Sequence, residues 1–149
     1  MVSRLAKCIG APGGITAALA LDRAEKQLAE MAPRAAVHVN TTLMKLRDLV
    51  DRWECEPEQT IALCLAILEL HAAAGFFGRP ELAQAAKLMV ETVEGLAPTA
   101  RLSRRLLRLY LDALRSLAQA DGAQKEVSAA LLSHLHMLSF RALSGASNI

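Results

Sequence analysis

Aromatic residues are scarce in this 149-residue chain, at 3% of the whole. Strands draw on aromatic side chains, so the scarcity argues against β-sheet, and Leu and Ala, which supply most of the 53% apolar content, favour close-packed helices. The three cysteines, Cys8, Cys55 and Cys64, are odd in number and lack a C-x-x-C spacing. That argues against a disulfide framework and a zinc motif, and fits a reducing compartment. Charge of one sign is also missing. The net charge is +2 with both signs interspersed, so charge alone does not point to nucleic acid or a membrane surface. No stretch approaches the roughly 18 consecutive apolar residues of a membrane span. The opening MVSRLAKCIGAPGG is split by Arg4 and Lys7 and is too short and too charged for a signal-peptide core. Gly-rich phosphate loops, nucleophile elbows and paired metal-binding motifs are absent from the sequence. These absences describe a cytoplasmic protein that is not an enzyme and implies no cofactor and no metal.

What is present is helical periodicity, and the fold class expected is an all-α, up-and-down helical bundle in a single domain over residues 1–149. Residues 1–14 form an N-terminal arm, with a short amphipathic piece over 2–9 and the breaker GAPGG. Thr16 offers a side-chain oxygen to cap a long helix with apolar positions Ala17, Leu21, Ala24, Leu28 and Met31. The spacing resumes at Leu43, Leu46, Val50 and Trp53, and Pro33 between the two predicts a kink or a break, with Asn40 or Thr41 as a second cap. Pro57 suits the first turn of a helix that Gly75 and Gly78 end, and Arg79 and Pro80 start the next. Thr99 is the expected cap of a helix running to about residue 119. A turn at Asp121 then leads to an additional C-terminal helix over 122–143. Short connections favour antiparallel neighbours.

The stretch LELHAAAGFFGRPEL, residues 68–82, carries the strongest motif. The helix that contains it is apolar on every side from Ile61 to Leu68, whereas a surface helix shows one stripe of little more than about 100°. One stripe, Leu63, Ile67, Leu70, Ala74 and Phe77, suits a bundle core. A second, Cys64, Leu68, His71, Ala72 and Gly75, tapers from large to small side chains and needs something to cover it.

These residues resemble the histidine-phosphotransfer (Hpt) family, whose four-helix bundle carries H-x-L-K-G-x-A-x-x-x-G on its second helix and often P-x-L after it. Leu70, Ala74, Gly78 and Leu82 match scaffold positions, and Gly75 and Phe77 are common substitutions there. The resemblance implies an Hpt-like four-helix core over 16–119. Leu68 stands where the family has its phosphate-accepting histidine, His71 where it has lysine, and Ala72 where it has glycine. Leucine offers no nucleophile, so transfer at this position is lost. A surface for a response-regulator receiver domain is what the resemblance leaves. The N-terminal SRLAKCIGAPGGITAALALDRAEKQL is similar to the start of the CheE family of α-proteobacterial chemotaxis proteins. Together the two resemblances imply a non-catalytic partner of response regulators.

Other residues admit more than one reading. His71 is a half-buried histidine, a docking contact, or a phosphate acceptor displaced by one turn. His134 and His136 lie about 200° apart on a helix and do not converge on one metal ion. Arg101, Arg104, Arg105 and Arg108 line one helix face at i, i+3, i+4 and i+7. They form a solvated face, an acidic-partner site or, without interleaved aromatics, a poor nucleic-acid site. The partner-binding set expected is therefore Leu68, His71, Ala72 and Gly75 with the four arginines. The alternatives are a structural homodimer that buries the apolar helix, and an active phosphotransfer protein using His71.

Overall fold

The computed structural model describes residues 16–120 and 125–145. The expected N-terminal arm, the turn at Asp121 and the last residues of the tail lie outside them. Among the described residues every regular element is helical: α1 (Ala17–Asp51), α2 (Pro57–Phe76), α3 (Pro80–Leu96), a single 3-10 turn (Ala97–Thr99), α4 (Arg104–Gln119) and α5 (Lys125–Ser144). The protein is an all-α helical bundle.

Local chemistry sets most of the boundaries. Thr16 Oγ1 accepts the Leu19 N–H at 3.3 Å and caps α1. Pro57 and Pro80 each open their helix, where a missing N–H costs nothing. Gly78, at φ +67°, closes α2. Its left-handed turn lets the Arg79 N–H reach the Ala74 carbonyl at 2.8 Å and the Gly78 N–H reach Gly75 at 3.3 Å, satisfying carbonyls the helix leaves open. Gly75 itself remains helical.

Two expectations are corrected and a third is narrowed. Pro33 lies inside α1, which continues through it as one helix, so of the kink or break expected there the break does not occur. Pro33 and Ala29, whose carbonyl loses its partner, are both exposed, which leaves that carbonyl on the solvent side of the helix. Asn40 and Thr41 cap nothing. The Thr41 and Thr42 hydroxyls instead donate back to the carbonyls of Val37 and His38, at 2.9 and 3.0 Å. Ser103, not Thr99, caps α4, accepting the Leu106 N–H at 3.2 Å. The Thr99 hydroxyl donates to the Leu96 carbonyl within the 3-10 turn.

The chain divides into two compact units between Ala35 and Ala36. The described part of the first is the start of α1, whose side chains from Thr16 to Arg34 are all exposed. Its apolar residues include Leu21 and Leu28, and Lys26 pairs with Asp22 at 3.0 Å. The hydrophobic core cluster begins at Val39.

In the second unit α3 is central, and α2, α4 and α5 all pack against it. The core draws Leu43, Leu46 and Val50 from α1, Leu63, Ile67 and Leu70 from α2, Leu82, Met89 and Val93 from α3, and Leu107, Tyr110 and Leu114 from α4. One polar layer crosses it. The Tyr110 hydroxyl lies 2.9 Å from Thr92 Oγ1 and also meets Ser139 Oγ. The Thr92 and Ser139 hydroxyls reach back to the carbonyls of Leu88 and Leu135. With Thr92 and Ser139 donating to their own helix carbonyls, the single Tyr110 proton bonds to one of the two hydroxyl oxygens beside it at a time, and the layer joins α3, α4 and α5.

Candidate functional site: the outer face of α2

The inward face of α2 is the expected one: Leu63, Ala66, Ile67, Leu70, Ala73 and Ala74 are buried, with Phe77 half-buried beyond them. Its opposite face is just as apolar and is open. Ile61, Leu65, Leu68, Ala72 and Gly75 follow one another at steps of four, three, four and three, and Phe76 adjoins them. Ile61 and Leu65 are each 62% exposed, Leu68 46% and Phe76 63%. Monomeric surfaces seldom show an apolar run of this extent without a use for it.

Glu69 is the one acidic side chain on α2 beyond Glu58. It is held by α1, with Lys45 Nζ at 3.2 Å and His38 Nε2 at 3.6 Å. The face therefore carries no unpaired carboxylate at its middle. With a mean hydropathy of 1.5 over 18 residues, α2 is long and apolar enough to cross a membrane, which a count of consecutive apolar residues missed. In the bundle its inner face is core.

Of the residues expected on the second stripe, Leu68, Ala72 and Gly75 lie on the open face, while His71 and Cys64 stand half-buried at its margin. His71 Nδ1 lies 2.8 Å from the Ala83 carbonyl of α3. A carbonyl only accepts, so Nδ1 carries the proton and donates, and in the neutral ring Nε2 keeps the lone pair. Burial pushes the Cys64 thiol above its ordinary range, and the Glu94 carboxylate adds to this.

Beside His71 an open groove of about 750 Å³ is lined by Gly75, Ala83, Lys87, Glu91 and His136. His136 comes from α5, and its Nε2 lies 3.1 Å from Gln84 Nε2. His134, two residues earlier, is exposed and does not line the groove. Among the described residues no three His, Cys, Asp or Glu side chains come together as a metal site. The C-terminal helix α5 packs on α3 and α4, and Leu68 stays open.

The arginines do not join this face. Arg101 Nη2 donates to the Ala142 carbonyl in the last turn of α5 at 3.0 Å, and Arg104 Nη2 to the Trp53 carbonyl just past the end of α1 at 2.6 Å. Arg108 Nη2 pairs with Asp51 at 3.1 Å. Cations at helix C-termini satisfy free carbonyls and complement the dipole, so three of the four arginines have structural employment and Arg105 alone of the row faces solvent without such a contact among the described residues. The closely packed helix pairs do not include α2 with α4. The expected partner-binding set therefore separates into two surfaces.

Sequence reasoning missed Ile61, Leu65 and Phe76, although their spacing from Leu68 was readable. It also missed the meeting of His136 with Gln84, which only tertiary packing creates. No family model matches the chain, no curated protein matches it, and no solved structure matches it.

Proposed function

We propose that this chain is a non-catalytic, Hpt-like signalling protein that binds the receiver domain of a response regulator through the outer face of α2. The observation that carries the reading is the openness of Leu68, Ala72 and Gly75 on a helix whose other face is core. Leu68 occupies the motif position of the lost phosphoacceptor and presents an apolar contact there. Ala72 and Gly75, one and two turns on, leave room for a partner helix to approach. The role is that of an adaptor, in two-component signalling and specifically in chemotaxis, with no transfer chemistry at position 68.

Calorimetric titration with receiver domains from the same genome tests this, each with and without beryllofluoride to mimic the phosphorylated aspartate. The reading expects micromolar binding that changes on activation. Absence of binding to every receiver overturns it.

A further inference from the structure

We propose that the cavity where the start of α3 meets the end of α4 and the first described turn of α5 binds a small phosphate monoester with a hydroxyl-bearing body. The proposal stands independently of receiver binding. The cavity measures about 400 Å³, and Arg79, Glu81, Leu82, Lys125 and Ser128 are among its walls. That volume falls within the roughly 300–1,000 Å³ of small-molecule sites. Two groups in it lack a partner. One is on the backbone. Pro80 opens α3, and Arg79 before it makes no side-chain cap. The Ala83 N–H reaches the Arg79 carbonyl, which leaves the Leu82 N–H without a hydrogen bond among the described residues, in a residue only 1% exposed. An uncapped helix start turns its free donors and the positive end of its dipole toward the space before it, and this suits an anion. The other group is a side chain. Thr42, Thr92, Ser128 and Ser139 are the buried polar residues among those described. Three of them donate to the carbonyl four residues back. Ser128 Oγ has no hydrogen-bond partner among the described residues, and Ser128, 8% exposed, lines the cavity. A buried hydroxyl without a partner destabilises the fold, and a phosphate oxygen would supply one.

Charge selects the class of ligand. Arg79 Nη1 donates to the Ala118 carbonyl in the last turn of α4, which holds the guanidinium at the cavity wall with its other N–H groups free of partners among the described residues. Lys125 is exposed at the rim. Two cations thus face one carboxylate, Glu81, and neither is paired with it. A phosphate monoester carries about −2 at neutral pH and presents three acceptor oxygens, which answers both cations, the Leu82 N–H and the Ser128 hydroxyl. The half-buried Glu81 carboxylate repels the phosphate and accepts from a hydroxyl, so it faces the body of the ligand rather than its charged end.

The test is calorimetric titration of the full chain at neutral pH with glycerol 2-phosphate, with inorganic phosphate and with glycerol. The ester is expected to bind with a dissociation constant below about 1 mM, inorganic phosphate at least fivefold more weakly, and glycerol not at all. Ser128→Ala removes no hydrogen bond made among the described residues and places a better helix former in α5, so the unliganded protein keeps its thermal stability while affinity for the ester falls at least fivefold. Lys125→Gln, at an exposed position, lowers it by at least as much. Lys26→Gln takes the same charge from the start of α1, where Lys26 pairs with Asp22, and is expected to leave the affinity unchanged. The absence of heat from the ester overturns the proposal, as does glycerol or inorganic phosphate binding as tightly as the ester. Undiminished affinity in Ser128→Ala or Lys125→Gln, or an equal loss in Lys26→Gln, also overturns it.

Discussion

His71 Nδ1 and the Ala83 carbonyl oxygen are 2.8 Å apart, and this bond joins the margin of the open α2 face to the central helix of the bundle. It persists whether the ring is neutral or protonated, since the donor nitrogen holds its proton in both forms. It also places His71 in a structural role at the very position that the motif offers as a displaced phosphate acceptor.

Replacing His71 by Ala therefore removes a hydrogen bond from a half-buried site, and is expected to cost about 1 kcal/mol in urea unfolding. His71→Asn, whose side-chain amide can donate near the same point, is expected to recover part of that. If both variants unfold like wild type, the bond contributes nothing to the bundle. Acid-labile phosphate incorporated from a phosphorylated receiver, and abolished by His71→Ala, would show instead that the ring is an acceptor.

Two glycines three residues apart are expected to respond oppositely. Gly78 sits at φ +67°, where an L side chain costs about 1–2 kcal/mol, so Gly78→Ala lowers stability by about that amount. Gly75 is helical and has open space over it, so Gly75→Ala raises monomer stability by up to about 1 kcal/mol. Denaturant melts of the pair, under conditions where wild type is monomeric, check both signs together.

Tyr110→Phe deletes the hydroxyl that links Thr92 and Ser139 across the core. Those two hydroxyls still reach their own helix carbonyls, so the loss is expected to be about 1 kcal/mol rather than that of fully orphaned groups. A loss of about 3 kcal/mol or more would show that the layer acts as a cooperative unit. Thermal unfolding followed at 222 nm reads the difference.

The Cys64 thiol, raised by burial and by Glu94, holds less thiolate at neutral pH than a free thiol does. In a Cys8→Ser, Cys55→Ser background it is expected to alkylate with iodoacetamide more slowly than a model thiol, and Glu94→Gln is expected to speed the reaction. Equal rates for the two proteins would remove the carboxylate as a cause.

Much of the fold was readable because it is written locally. Thr16, Pro57, Gly78 and Pro80 act on their immediate neighbours, and each stands at the helix boundary its chemistry predicts. Where two local signals competed, the reading failed. Thr99 and Ser103 are both capable caps, and the choice went to the residue whose backbone was extended, Ser103 at ψ 147°. Pro33 suggested a kink or a break, and the break did not follow, because an exposed carbonyl can turn to solvent. On α2 the apolar pattern showed that a second face existed, yet its phase was off by part of a turn, because His71 and Cys64 lean toward α3. The four arginines looked like one surface on the helix alone. The neighbouring ends of α1 and α5 gave three of them separate tasks, and that was not written in their spacing.

The most direct test of the outer α2 face as a protein-binding surface is the receiver affinity of wild type against Leu68→Asp, measured in one calorimeter with helicity checked for both. A carboxylate at this exposed point leaves the fold alone and places an unpaired charge in the middle of an apolar contact. The account predicts at least a tenfold loss of affinity with an unchanged far-ultraviolet spectrum. Equal affinity for the two proteins would contradict it.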